Sequence, residues 1–277
     1  MKREETRIYK VLAIAGSDSG GGAGIQADMK TITALGCYAT TAVTALTAQN
    51  SLGVHSVFEI PAHFVGQQID AVMTDIGTDA VKTGMLMSKD IVEVVSSKIR
   101  EYNIKRVVVD PVMLSKNDKR LLSPDAVHAL TSQLLPLSSI VTPNIPEAEC
   151  ITGLKIKSVS HAEDAAKYIY QLGPSHVLIK GGHAGKSGDT KNREKVIDIL
   201  YDGTSFEYIE GEYIPTQNTH GTGCTHASAI AALLAKGNSL TEAVVQAKRF
   251  VTLSIQKSFN PGRGYGTLDQ FRAVQFP

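Results

Sequence analysis

The sequence predicts an α/β fold in which a mostly parallel sheet is covered on both faces by helices. Three observations carry this. Short apolar runs alternate along the chain with stretches whose apolar residues recur at helical spacing, and such alternation builds parallel sheets from strand–helix–strand units. Some runs are apolar and β-branched without a break, Val107, Val108 and Val109 above all, as strands buried on both faces are. No linker interrupts the 277 residues, a length that suits one α/β domain burying roughly 75% of its unfolded surface. Residues 1–277 therefore read as one domain.

From the N-terminus, Val11 to Ala15 reads as a buried strand, followed by a glycine-rich turn, Gly16 to Gly24. Ile25, Met29, Ile32 and Leu35 then recur at helical spacing, with Gly36 where a helix cap would sit. Thr40 to Ala48, rich in β-branched residues, reads as one strand. His63 to Met73 reads as a helix turning Phe64, Ile69, Val72 and Met73 inward. Ala80 to Thr83 is a short strand, and Ser88 to Tyr102 a helix with Ser88 as its N-cap. Arg106 to Asp110 is the next strand. Ser123-Pro124 opens a helix with proline at its first position. Ile140 to Thr142 and His176 to Ile179 are strands. Ser160 to Glu163 and Ser239 to Glu242 both fit the S-x-x-E capping box. Val196 to Tyr201, Asp202-Gly203 and Ser205 to Ile209 compose a hairpin, an antiparallel addition near one edge. Two helices close the chain, Thr225 to Lys236 and Leu240 to Ser258. The polar, glycine-bearing loop 182–194 suits a mobile flap and an ordinary surface insertion equally.

The formal net charge is +1, with no block of like charge. This argues against a nucleic-acid or membrane-surface partner, since both select concentrated basic patches. Three cysteines are too few, and odd in number, for a secreted disulfide framework. Met1 to Lys10 is charged and lacks the apolar core of a signal peptide. No stretch approaches the ~20 apolar residues of a spanning helix. The expected location is the reducing cytoplasm.

The strongest local signal is Asn218-Thr219-His220-Gly221-Thr222-Gly223-Cys224-Thr225, between a strand-like segment and an apolar helix. Gly221 and Gly223 let the backbone bend and clear side chains from a ligand's path, and the free N–H groups of a helix start suit an anion. Donors fixed there would stabilise the charge spread over a migrating phosphoryl group; the same glycines also suit a plain structural turn. Cys224 at the helix mouth is expected to have a lowered pKa and to accept a proton from an attacking alcohol. Cys37 and Cys150 read as small buried hydrophobes. The loop Gly16 to Gly24 is not a P-loop, because no lysine followed by Ser or Thr ends it. It partly resembles a dinucleotide fingerprint, but the acidic residue expected ~20 positions later is absent. Asp110 and the group Asn144 with Glu147 follow strands, where ligands and magnesium gather in open α/β sheets; each also suits a helix cap or turn. Lys180, before Gly181, ends another strand and could meet phosphates.

These pieces occur together in one order. The loop Gly16 to Gly24, Thr47-Ala48-Gln49-Asn50, Lys82-Thr83-Gly84-Met85, Asp110-Pro111-Val112-Met113, Thr142-Pro143-Asn144 with Glu147, Lys180-Gly181-Gly182-His183, and Asn218 to Thr225 resemble the hydroxymethylpyrimidine kinase family, of the ribokinase-like superfamily. The resemblance runs from about Val11 to Phe259. It implies a ribokinase-like three-layer α/β/α sandwich with a mostly parallel central sheet. It also implies transfer of the ATP γ-phosphate to 4-amino-5-hydroxymethyl-2-methylpyrimidine, and in many members to the monophosphate, for thiamine synthesis. Magnesium as cofactor and a homodimer are implied too. By position, Gly221, Gly223 and Cys224 match the anion hole and catalytic position, where other ribokinase-like enzymes usually carry aspartate in place of Cys224. Gln49 matches the residue that reads the pyrimidine, since a carboxamide sets a donor beside an acceptor, the complement of an aminopyrimidine edge. Asp28, Gly16, Ala23, Met85 and Val112 match further substrate positions; Thr47 stands where valine is common in relatives. Lys180, Asn144, Thr219 and Thr222 match the nucleotide side, and Asp110 and Glu147 the magnesium region. The rival expectations are a pyridoxal kinase of the same architecture, a non-catalytic pyrimidine sensor, and, from the early glycines, a dinucleotide oxidoreductase.

Overall fold

The computed structural model describes residues 7–113, 122–181 and 195–274; the loop 182–194 lies outside them. In chain order the elements are β1 (Lys10–Ala15), α1 (Gly24–Ala34), β2 (Tyr38–Val43), β3 (Ala45–Asn50), β4 (Gly53–Glu59), α2 (Ala62–Asp75), β5 (Ala80–Thr83), α3 (Lys89–Glu101), β6 (Val107–Val109), α4 (Pro124–Ala129), β7 (Ile140–Val141), α5 (Ile145–Thr152), α6 (Val159–Gln171), β8 (Val177–Ile179), β9 (Lys195–Tyr201), β10 (Phe206–Glu212), α7 (Thr222–Ala235) and α8 (Leu240–Gln256). Among the described residues, eight strands join in the order β10-β9-β8-β7-β6-β5-β1-β2. From β2 to β8 every pairing is parallel, while β9 and β10 add antiparallel at one edge. The strand order reverses beside β1, whose neighbours are β2 and β5.

Alternation along each strand divides the core in two. Leu12 and Ile14 of β1, with Val107 and Val109 of β6, pack among residues of α2, α3, α4, α5 and α6. Val11, Ala13 and Val108 face the opposite way, toward α7 and α8. The expected three layers are present. Helix α7 is buried at every residue from Thr225 to Ala235 and packs on β1, β5, β6, α1 and α8. A helix apolar all round belongs inside a protein, and this one holds its N-terminus against the ends of the central strands. No described helix is long and apolar enough to cross a membrane.

Several local expectations need correction. Thr40 to Ala48 is two strands, not one. The last register pair of β1 and β2 is Ala15 with Val43, so the chain beyond has no neighbour in the large sheet. It turns at Thr44, and β3 pairs instead with β4 in a separate antiparallel ribbon. In α2 the inward stripe is Val65, Gly66 and Ile69, with Val72 and Met73 partly buried against it. Phe64, one position off that stripe, is 50% exposed. Ser88 is the N-cap residue of α3, as expected, but its side chain makes no capping bond; its hydroxyl bonds Glu59. α6 begins at Val159, which places Ser160 inside the first turn, so Ser158 is the cap, accepting the His161 N–H. Glu163 meets Tyr208 instead. The Ser239–Glu242 capping box forms as expected, as does the Ser123 cap with Pro124 behind it. Cys37 is buried, but Cys150 is exposed.

Candidate active site

The N-terminus of α7 meets the first glycine loop backbone to backbone. Gly221, the N-cap of α7, has φ +87°, and a Cβ there would stand 1.9 Å from the Gly22 carbonyl oxygen. No other residue fits that crossing. The loop is shaped by Asp18, whose carboxylate accepts the N–H groups of Gly20, Gly22 and Ala23 at 2.8, 3.0 and 2.8 Å. Ala23 is the extended N-cap of α1, and the N–H of the next residue, Gly24, is among the groups that draw the Cys224 pKa down. Two helix N-termini thus converge on one thiol.

Across from this junction, Asp110 after β6 and Lys180 after β8 pair at 2.9 Å. A Cβ on Gly223 would lie 3.4 Å from Lys180 Nζ and 3.5 Å from Asp110 Oδ2. The space above Gly223 is therefore shared by the helix N-terminus, an ammonium and a carboxylate, at the carboxyl ends of the strands. Burial pushes the Asp110 carboxyl up, but Lys180, backed by Lys82, outweighs it and holds the group below its ordinary value. Glu147 is also buried. Burial lifts its carboxyl to about 7, Lys180 opposing and Asp110 adding to the rise.

Asn144 and Glu147 form a reciprocal capping box on α5, and Asn144 forms a bridge with Lys180. Their first role is thus to fix the end of β7. Among the described residues no three His, Cys, Asp or Glu gather as a metal cage. Magnesium does not ask for one, since it is commonly held by one or two carboxylates with substrate phosphates and water. Asp110 and Glu147 fit that donor set.

Beneath Cys224 lies a pair that sequence reasoning did not assign. Lys82 and Asp28 are both wholly buried and joined at 2.9 Å, and Ser228 donates to Asp28 at 2.7 Å. Asp28 was expected to touch substrate; with no exposure and both oxygens taken, it instead anchors Lys82. Lys82 in turn draws on Cys224. The expectation of a lowered thiol pKa is also corrected. Loss of water pushes Cys224 up to about 11, and Lys82 and the Gly24 N–H only partly offset it. The resting group is a thiol.

His226 is buried in α7, and its Nε2 has no hydrogen-bond partner among the described residues. Burial pushes its pKa from 6.5 down to about 4. Between those values the unfolded chain binds a proton here that the folded chain refuses. Stability should therefore fall as pH falls through that window, by about 3 kcal/mol at its foot. Urea unfolding at several pH values checks this: His226→Leu should flatten the acid limb, and an unchanged slope would place the loss elsewhere.

On the substrate side, Gly16 lies under Met85, whose Cε would sit 2.2 Å from a Cβ there. Val112 turns back on Asp110 through its N–H, at 2.8 Å. Gln49 belongs to the ribbon of β3 and β4, at the point where their register shifts. Its carboxamide reaches the rest of the site through His220, 3.2 Å away, and His220 pairs with Asp18 at 2.9 Å. The Thr222 hydroxyl donates inward to the Thr219 carbonyl at 2.8 Å. It closes the glycine loop, and its proton is not directed at a nucleotide. Lys82 and His220 were missed as functional residues. A lysine inside the apolar Ala80 to Thr83 strand was the available signal for the first; a partner 202 positions away left none for the second.

The chain matches the family model for phosphomethylpyrimidine kinase over residues 18–269. It is 47% identical over 264 residues to the hydroxymethylpyrimidine/phosphomethylpyrimidine kinase of Bacillus subtilis, covering 95% of each chain. It is 48% identical over 265 residues to the thiamine biosynthesis bifunctional protein ThiED of Geobacter sulfurreducens, covering 96% of this chain but spanning only 53% of that protein's length. Among solved structures, the phosphomethylpyrimidine kinase of Clostridium difficile is 44% identical, with TM-score 0.78 over 89% of this chain and 99% of that one. The pyridoxal kinase of Bacillus subtilis, an ADP complex, is 40% identical, with TM-score 0.87 over 96% of this chain and 98% of that one.

Proposed function

The chain belongs to the phosphomethylpyrimidine kinase family, and from that premise we propose that it transfers the γ-phosphoryl group of ATP to 4-amino-5-hydroxymethyl-2-methylpyrimidine, and then to the monophosphate, in thiamine biosynthesis. The observation that carries this is the space above Gly223, where the start of α7, Lys180 and Asp110 meet. An anion seated there is held by backbone donors and one ammonium. A helix of eleven consecutive buried residues fixes those donors in place, as a preorganised oxyanion site requires.

The substrate hydroxymethyl oxygen attacks the γ-phosphorus in line, the bond to the bridging oxygen of ADP breaks, and the alcohol proton must leave. Cys224 lies where two helix starts converge and takes that proton. Being neutral at rest, it does so by passing its own on to the transferred phosphoryl group, as a relay. Magnesium, held by Asp110 and Glu147, would neutralise charge on the phosphates. Lys180 meets the same phosphates, and Gln49 reads the heterocycle. One folding unit, 1–277, and a cytoplasmic homodimer complete the reading. The dimer is supported by Leu46 and Phe58, which face each other across β3 and β4 and are 47% and 65% exposed.

The test is ATP consumption by the purified chain with the pyrimidine alcohol, its monophosphate and pyridoxal side by side. Turnover of the first two, abolished by chelation and restored by magnesium, is the expected result. Preference for pyridoxal would move the chain to the activity for which several of its structural neighbours are named. No turnover of any would favour a sensor.

A further inference from the structure

The hydrogen bonds around Gln49 can all be satisfied in only one sense. The Asp18 carboxylate, 4% exposed in its side chain, already accepts three backbone N–H groups and has only lone pairs left to offer. His220 Nε2 stands 2.9 Å from it, so that nitrogen carries the hydrogen. The ring is held in place, with its Cδ2 over Gly22 and its main chain bonded to Gly266. The same Nε2 faces the Gln49 carboxamide at 3.2 Å. The other end of the carboxamide faces Thr47 Oγ1 at 3.4 Å. Thr47 has one hydroxyl proton and donates it to the Ser17 carbonyl at 2.8 Å, so toward Gln49 its oxygen accepts.

A carboxamide with nitrogen toward the ring sets donor against donor there and acceptor against acceptor at Thr47. A half-turn exchanges its nitrogen and oxygen at no steric cost: the oxygen then takes the longer arm of a three-centre bond from the one Nε2–H that Asp18 already accepts, and the amide nitrogen donates to Thr47.

We propose that His220, its Nε2–H fixed by Asp18, sets the direction of the Gln49 carboxamide and so determines which heterocycles the pocket accepts. The oxygen faces His220 and the amide nitrogen faces Thr47. What remains for a ligand is one oxygen lone pair on the His220 side and one N–H on the Thr47 side. That edge matches an exocyclic amine beside a ring nitrogen acceptor, and it opposes the reversed pattern of a ring carbonyl beside a ring N–H. His220 is a positioning residue in this scheme, which rests on the reading that Gln49 faces the heterocycle.

The test compares kcat/KM for the aminopyrimidine alcohol with that for its 4-oxo analogue, in the wild type, Gln49→Ala, His220→Ala and the double variant. The ratio cancels any loss of folded enzyme, because both substrates meet the same sample. His220→Ala frees the carboxamide to turn and should lower the amino-to-oxo preference about tenfold, the worth of one hydrogen-bond mismatch. Gln49→Ala should lower it at least as far, and the double variant no further. If Gln49→Ala lowers the preference and His220→Ala leaves it intact, the orienting role of His220 is wrong while the reading of Gln49 stands. If neither moves it, the reading of Gln49 fails and the proposal fails with it.

Discussion

Cys224→Ala should lower kcat for the pyrimidine alcohol about 100- to 10,000-fold, the range that a positioned proton-transfer group contributes, with the fold intact. The residue is half-buried at the mouth of α7, and removing one sulfur atom is a small change in packing. The anion site is built from the backbone of the neighbouring residues and survives the change. Phosphoryl transfer depends mainly on position and charge, so a residual rate should remain. Because the thiol sits near pKa 11, turnover in the wild type should not follow a thiolate titration near neutrality. Steady-state kcat with a matched melting curve is the measurement. A variant within a few-fold of wild type would remove Cys224 from the chemistry and leave the transfer to electrostatics alone.

Lys82→Met should be damaging in two separable ways. It strands Asp28 in a site with no solvent exposure, and breaking a buried pair from one side costs about 3–5 kcal/mol. Asp28 is already pushed upward by burial, which Lys82 and Ser228 only partly offset, so it would take up a proton. The variant also removes the charge that most strongly lowers the Cys224 pKa, and turnover should fall. Replacing both partners, Lys82→Met with Asp28→Leu, should recover most of the stability, since buried pairs exchange well for packed apolar groups. It should not recover turnover. Denaturant midpoints and kcat for the single and double variants distinguish these effects. Activity returning with stability would reduce Lys82 to scaffolding.

The layers of the fold were legible because the period-2 and period-3.6 patterns are local properties of the chain. Val107 to Val109 and the apolar run Ala229 to Ala235 of α7 left little choice. The break at Thr44 was not legible, because Thr40 to Ala48 stays β-branched through it. What ends β2 is the end of its neighbour β1, a fact of another segment. Among the site residues, Gly221, Gly223, Cys224, Asp110 and Lys180 come together as their positions at strand and helix ends imply. Asp28 was read as a substrate position from its match in the family resemblance, and such a match does not show that its helix turns the carboxylate inward to Lys82 and Ser228. The Cys224 pKa was misjudged for a related reason: the helix start is visible in sequence, but the loss of water around the thiol is not. His220 shows the limit, since its importance lies in three contacts made by segments far apart in the chain.

Among the described residues, the ribbon of β3 and β4 pairs with no strand of the large sheet. The groups proposed to handle phosphate belong to the large sheet and α7; the carboxamide proposed to read the heterocycle rides on the ribbon. A lineage could therefore exchange one vitamin precursor for another by rewriting a short hairpin and the histidine beneath it, leaving the machinery of transfer inherited whole. The pyridoxal kinase at 40% identity and the phosphomethylpyrimidine kinase at 44% share one scaffold with this chain, and on the proposed reading such an exchange would suffice to separate their substrates.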